Sequence, residues 1–400
     1  MLDPYSPQSI ADPVSFWARL RAEAPVLEVP GSDRHYLVSS YADVRRVCEE
    51  FETFSNELLA SVQRGPDGRP RLLSALSKDS PHGRVMGAAD GEIHRRHRRL
   101  LSGAFSARSM KTFEQWMRVR VRELLESTPP EFDLMRVVAE PLPVQAMAHL
   151  LGLPSEDWRK LFDWSESAME LIGGLAEVDS MASLASDLAE LQAYLAVHAE
   201  RENSDGDTVI GLVSQAVEAG KIEAWEASGL LFQLVVAGSD TTVGLIGSAF
   251  RHLAEDPRRG ALLRQDRSAI APFIEETMRM DGPAIGNYRR TTCDTEIGGI
   301  PIPEGATLTL LWGSANRDER EFIDPDVFNL NRPNLKSHLA FGHGAHFCLG
   351  AALARMEARV TIEEALERSS SIELACDPGD LRIAPSLFIR KLEALPIRLV

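Results

Sequence analysis

The stretch HLAFGHGAHFCLGAALARME, residues 338–357, sets Cys348 between a glycine-rich loop and a run of helical spacing. The chain has only four cysteines in 400 residues. A thiol at this place can be an inert core group, one arm of a metal clip, a nucleophile or a cofactor ligand. Structural zinc asks for about four ligands in tetrahedral array. His343 and His346 are near Cys348, but no second cysteine pair follows. A nucleophile asks for a base positioned by the fold. His346 is available for that, yet Phe341, Gly342 and Gly344 do not suggest a substrate cleft. An inert buried thiol is the usual fate of cysteine, but it would not demand three glycines around it.

Three further stretches carry residue types with chemistry in them. In LLFQLVVAGSDTTVGLIGSAFRHLAEDP, residues 230–257, Asp240, Thr241 and Thr242 interrupt an almost unbroken apolar run, directly after Ala237 and Gly238. A buried carboxylate is costly unless paired or used. One reading is a Ser/Thr patch bonding back to helix carbonyls; the other is an acid and an alcohol beside a small bound molecule. In EETMR, Glu276 and Arg279 stand at i, i+3 and meet on one helix face. Alone, such a pair commonly means a surface salt bridge of little worth. In DGEIHRRHRRLLSGAF, residues 90–105, His94 and Arg98 share a face at i, i+4, and Arg95, Arg96 and Arg99 add a basic cluster. That cluster is either a solvated face or a site for anionic groups.

The elements that must position these residues are readable in outline. Residues 25–41 alternate around a Gly-Ser-Asp turn and predict a β-hairpin. Residues 58–86, rich in Gly, Pro, Arg and Ser, read as a long loop. Helical periodicity dominates from about 90 to 280, with breaks at STPPEFD, GLPSEDW and ENSDGDT. Residues 293–312 carry the punctuation of short strands. Irregular chain over about 316–345 precedes a helix over about 349–368. The expected fold class is mainly α, an α+β protein with small sheets rather than a βαβ alternation, in one domain over 1–400.

Bulk properties narrow the function. The formal net charge is −16, which argues against general affinity for nucleic acid or anionic membrane. The polar, proline-broken N-terminus has no secretory pattern. No run of about 18 apolar residues predicts a bilayer span. Cys48, Cys293, Cys348 and Cys376 contain no CxxC pair, so a reducing cytoplasm is expected.

For Cys348 the remaining reading is a haem ligand. A thiolate at a helix start is stabilised by the positive dipole end and free amides, and Gly342, Gly344 and Gly350 let backbone pass close to a flat macrocycle. A thiolate on haem iron favours O–O cleavage, and Asp240 with Thr241 could manage protons on the opposite face.

With these residues in view, the chain resembles the cytochrome P450 superfamily of haem-thiolate monooxygenases, of the soluble bacterial type. FGHGAHFCLG, residues 341–350, matches the family's Phe-x-x-Gly-x-His/Arg-x-Cys-x-Gly at every fixed position. AGSDTT (237–242) matches the oxygen-activating pattern of its long central helix, ETMR supplies its ExxR, and FNLNRP holds the arginine of its Glu-Arg-Arg triad. The similarity runs over essentially the whole chain. One departure is DGEIH, where the family usually has Asp-Pro-Pro-x-His.

The resemblance implies Cys348 as axial metal ligand of haem b, within a loop that includes Phe341 and Gly342. It implies His94, Arg98, Arg289 and His346 as partners of the haem propionates, and Asp240 and Thr241 as the catalytic proton-delivery pair. Glu276, Arg279 and Arg332 become a structural triad. The substrate pocket is expected at Gln233, Val236, Ala237, Ile285, Asn287, Phe388 and Ile389, with residues 58–86 as a lid, and the expected reaction is hydroxylation or epoxidation of a hydrophobic small molecule, whether terpenoid, aromatic, steroid-like or macrocyclic. O2 is the implied cosubstrate. The chain carries no flavin or iron–sulfur module of its own, so electrons are expected from an acidic ferredoxin and its NAD(P)H-dependent reductase, docking on Arg95, Arg96 and Arg99 with Arg108 and Lys111. A peroxide-driven peroxygenase and a non-catalytic haem-thiolate sensor or ligand-binding protein are the alternatives.

Overall fold

The computed structural model describes residues 2–57, 61–65, 70–73, 85–126, 128–201 and 208–400. Its axis is the helix Ala224–Glu255, which starts at a capping box between Glu223 and Glu226. Leu230, Leu231, Val243, Ile246, Ala249 and Leu253 of this helix are all at most 1% exposed. Burial on several faces follows from an apolar sequence on several faces. Helices Pro141–Leu151, Trp158–Ile172, Ile270–Asp281 and Ala351–Arg368 pack around it. By length and mean hydropathy the helix could cross a membrane, but 72% of that window is buried inside the protein.

The expected hairpin is present as Val26–Glu28 paired antiparallel with His35–Val38. Gly31 takes a left-handed φ of 78° in its turn. The second hairpin strand pairs in parallel with Thr307–Leu310. That strand pairs in turn with Asn287–Thr291, and Phe54–Ser55 closes the five-stranded sheet. The N-terminal hairpin therefore shares one sheet with Asn287–Thr291 and Thr307–Leu310, and that sheet carries Asn287 and Arg289, while Thr295–Ile297 and Ile300–Ile302 pair apart from it as a second hairpin. A smaller sheet joins Ile372–Leu374, Pro396–Leu399 and Glu131–Asp133. At STPPEFD the sequence shows a break, and the structure places a strand there because its partner arrives from the C-terminus. From residue 316 to 345 the chain forms only short turns such as Leu335–Ser337, before the helix Ala351–Arg368. Within residues 58–86 the described part is a hairpin, Ser61–Arg64 with Pro70–Leu73, and Val85–Met86. The rest of that segment lies outside the described residues.

Candidate functional site

The cysteine loop is shaped by its glycines. Gly342 and Gly344 have φ of 70° and 72°, a region costly for residues with a Cβ. A Cβ on Gly344 would also stand 2.7 Å from the Cys48 carbonyl oxygen. The Cys348 amide donates to the Phe341 carbonyl at 2.8 Å, which closes the loop and aims the side chain. Amides of Gly350 and Ala351 bond the sulfur and, with Arg98 and Arg355, favour the thiolate. Burial is the larger influence and pushes the thiol up. The residue nevertheless keeps accessible surface, so the sulfur can take a ligand. No cluster of three or more His, Cys, Asp or Glu able to hold a metal occurs among the described residues.

Beside the loop stands a set of nitrogen donors, two of them guanidinium groups. Arg98 Nη1 donates to the Phe347 carbonyl at 2.7 Å. The rings of His94 and His346 lie 4.1 Å apart, and His346 Nε2 bonds Asp90 Oδ1 at 3.1 Å. Burial first, then His346 and Arg98, lower His94 to about 4. Asp90 caps no helix amide, although the helix Gly91–Leu101 begins beside it without the prolines. Its carboxylate accepts instead from Ser55 Oγ at 2.6 Å and the Asn56 amide at 2.9 Å. Arg289 is 3% exposed; its guanidinium donates to the Tyr288 carbonyl at 2.7 Å and joins no ion pair among the described residues. A buried guanidinium without a carboxylate invites an anion. Donor set and sulfur together fit a dianionic haem.

Across the central helix, Asp240 is 1% exposed. Burial raises its carboxyl, and Lys391 opposes that shift through a 2.6 Å bond to Oδ1. Lys391 also bonds Glu166, whose side chain is 43% exposed. Asp240 thus connects to the surface through two charged links. Thr241 Oγ1 donates to the Ala237 carbonyl at 2.8 Å, so the back-bonded hydroxyl reading describes its resting position. Ala237 itself is exposed in mid-helix.

The family model of cytochrome P450 matches residues 200–373. Cytochrome P450 144 of Mycobacterium tuberculosis is 33% identical over 98% of this chain and 90% of its own length. The chain belongs to the cytochrome P450 family. The erythromycin C-12 hydroxylase of Saccharopolyspora erythraea is 34% identical, covering 91% of this chain and 88% of its own. The structure of CYP109E1 from Bacillus megaterium with testosterone superposes with a TM-score of 0.86 at 29% identity, covering 98% and 99% of the two chains. The protein is a P450 monooxygenase, a family whose members bind haem, activate O2 and draw electrons from a reductase.

Within this P450 the walls expected around the substrate come together only in part. Val236, Ile285 and Ile389 are buried. The Ile285 amide donates to the Phe388 carbonyl at 3.0 Å, and Ile389 bridges Ala284. Asn287 Oδ1 accepts from the Tyr288 amide, which leaves its amide nitrogen as the donor. Gln233 Oε1 is committed to the Gly87 amide at 3.0 Å, so its oxygen holds backbone. The ExxR pair is not on the surface. Glu276 and Arg279 are both 0% exposed and make two bonds of 2.8 Å. Arg332 joins Glu276 at 3.0 Å while binding the Asp324 and Val327 carbonyls.

Two participants had no sequence signal of their own. Lys391 and Glu166 each sit far along the chain from their partners. Arg96 was grouped with a docking face, but it binds the buried Glu226; Arg95 and Arg99 both pair with Glu92.

Proposed function

We propose that this P450 holds haem b on Cys348 and hydroxylates or epoxidises a hydrophobic small molecule of macrocyclic or steroid-like size in the cytoplasm. Its electrons come from an acidic ferredoxin and an NAD(P)H-dependent reductase. The observation that carries the O2 route is the Asp240–Lys391–Glu166 connection behind Thr241. A peroxide-driven enzyme or a ligand sensor has no use for a buried acid joined to the surface. When bound, haem supplies the centre at which O2 is reduced. Arg98 and Arg289 would neutralise its propionates with His94 and His346 as hydrogen-bond partners, and the Gly350 and Ala351 amides would temper the charge on the Cys348 sulfur. Asp240 exchanges protons at Oδ1 with Lys391. Thr241 must turn its hydroxyl away from the Ala237 carbonyl to donate into the site.

Support for the substrate class comes from the apolar walls Val236, Ile285, Phe388 and Ile389 with one amide donor, Asn287. Relatives named for erythromycin and solved with testosterone have the same character. The test is the spectrum of dithionite-reduced protein under carbon monoxide. A strongly red-shifted Soret band that is lost in Cys348→Ser supports the assignment, and a histidine-type band in folded protein overturns it. Spin-shift titration with erythromycin-type macrolides and with testosterone then tests the substrate class. Turnover with peroxide alone at the ferredoxin-supported rate would remove the O2 route.

A further inference from the structure

Residues Val85–Ala88 are seated on the first half of the central helix at positions 226, 229 and 233. These are spaced i, i+3, i+7 and share one face. Glu226, 2% exposed, accepts from His97 Nε2 at 2.9 Å and from Arg96. The other ring nitrogen, His97 Nδ1, accepts the Met86 amide at 3.2 Å. At Gly229 a Cβ would stand 2.7 Å from Val85 Cγ1, so the bare backbone is what lets Val85 lie there. Gln233 Oε1 accepts the Gly87 amide. Two consecutive backbone amides are thus held by side chains from two different helices.

The geometry settles the state of the ring. A nitrogen that accepts an amide hydrogen carries no proton, so His97 is neutral, with its one N–H directed at Glu226. A second proton would go onto Nδ1, where the Met86 N–H already points, and would turn a bond into a donor–donor contact. Burial holds His97 below the ordinary histidine value, more strongly than Glu226 raises it, and Arg96 adds to the lowering. Glu226 on the central helix and Arg96 on its own helix are the charged groups acting on the ring; Val85–Ala88 carries none.

We propose that His97 and Gln233 are positioning residues that latch Val85–Ala88 to the central helix, and that the latch loosens in mild acid. Because the latched state needs the neutral ring, it is complete above the ordinary histidine pKa of about 6.5 and weakens progressively below it. Its consequence for ligand entry rests on reading this stretch as a wall of the substrate chamber; the latch itself does not.

The experiment is site-resolved amide hydrogen exchange on the haem-loaded full chain, read as protection factors at about pH 7.5 and about pH 5.5. In the unmodified protein, protection at Met86 falls several-fold, up to about ten-fold, at the lower pH. His97→Asn offers an oxygen where Nδ1 stood but cannot titrate, so it keeps protection at both values. Gln233→Leu loses protection at Gly87 at both values. Equal protection at the two pH values in the unmodified protein overturns the proposal. So does an Asn variant that follows the unmodified protein, or a Gly87 amide indifferent to Gln233→Leu. The rate of carbon monoxide combination with reduced protein, faster in Gln233→Leu, reads ligand entry separately. Unchanged rates beside the expected exchange pattern uphold the latch and overturn only the assignment of the stretch to the chamber wall.

Discussion

Glu357 lies 1% exposed on the helix after the cysteine loop, and burial pushes its carboxyl up to about 8. A hydrogen bond with Thr242 works weakly against that, and its Oε2 has no partner. The fold retains this proton where the unfolded chain, titrating near 4.5, has already lost it. Stability therefore falls as pH rises from about 4.5 to about 8, by a few kcal/mol at about 1.4 kcal/mol per pH unit. Glu357→Gln removes that slope, and urea midpoints at about pH 5 and pH 8 check it. Thr241 makes a different claim. Its hydroxyl serves the site only after leaving the Ala237 carbonyl, and Thr241→Ala, which removes it, leaves spin-shift binding intact but lowers product formed per O2 by about ten-fold or more, with peroxide released instead. Oxygen uptake measured beside product yield decides that. Both residues could be picked out of the sequence as types. Only Thr241 had a motif around it; Glu357 reads as one more polar residue of an amphipathic helix until its neighbours are known.

At the scale of elements, the central helix works as an axis because small residues let others reach its backbone. A Cβ at Gly244 would meet Pro283 Cβ at 2.7 Å and the Arg390 carbonyl oxygen at 2.9 Å, both held by rigid backbone. A Cβ at Gly238 would meet Met147 Cε at 2.0 Å, the free end of a flexible side chain. Gly244→Ala is expected to destabilise by about 1–3 kcal/mol. Gly238→Ala is expected to do less, because Met147 swings aside and alanine favours helix by up to about 1 kcal/mol. Thermal midpoints of the two variants test the contrast. The ExxR pair shows the same dependence on surroundings. Its spacing places Glu276 and Arg279 on one face, but Arg332 and the Asn329 amide at 2.9 Å turn a surface motif into a sealed node. Glu276→Gln leaves two guanidinium groups buried without a carboxylate and should lose about 3–5 kcal/mol, read as a lowered urea midpoint.

Over the whole molecule, charge separates the roles of the basic residues. Against a net −16, Arg108 and Lys111 are exposed and join no ion pair among the described residues. Lys111 also lines a groove of about 350 Å³ with Met110, Ile274, Ala352, Arg355 and Met356. Arg95 and Arg99 share Glu92, which weakens their field. Reversing Arg108 and Lys111 to Glu together should lower ferredoxin-supported turnover about ten-fold at low salt, with the difference shrinking as salt rises. Peroxide-driven turnover should not change. Steady-state rates across an ionic-strength series measure both.

What the sequence by itself determined is the local part. Glycines around Cys348 prescribe its loop because left-handed φ is nearly theirs alone. The apolar run prescribes a buried central helix, and the hairpin and short strands follow from alternation and turn residues. These are effects of neighbours within a few residues of each other, and they made the cysteine loop, the Asp240–Thr241 pair and the ExxR face visible as candidates. Tertiary structure decided who partners whom. Asp240 meets Lys391 across 151 positions, His346 meets Asp90 across 256, and Gln233 meets Gly87 across 146. Such pairs are chosen by how helices and sheet pack. Packing places a lysine, a carboxylate or a backbone amide within bonding distance, and no periodicity along the chain encodes that distance. Gln233, expected at the substrate wall, thus holds the Gly87 amide through Oε1, and Arg96, expected at a docking face, holds Glu226.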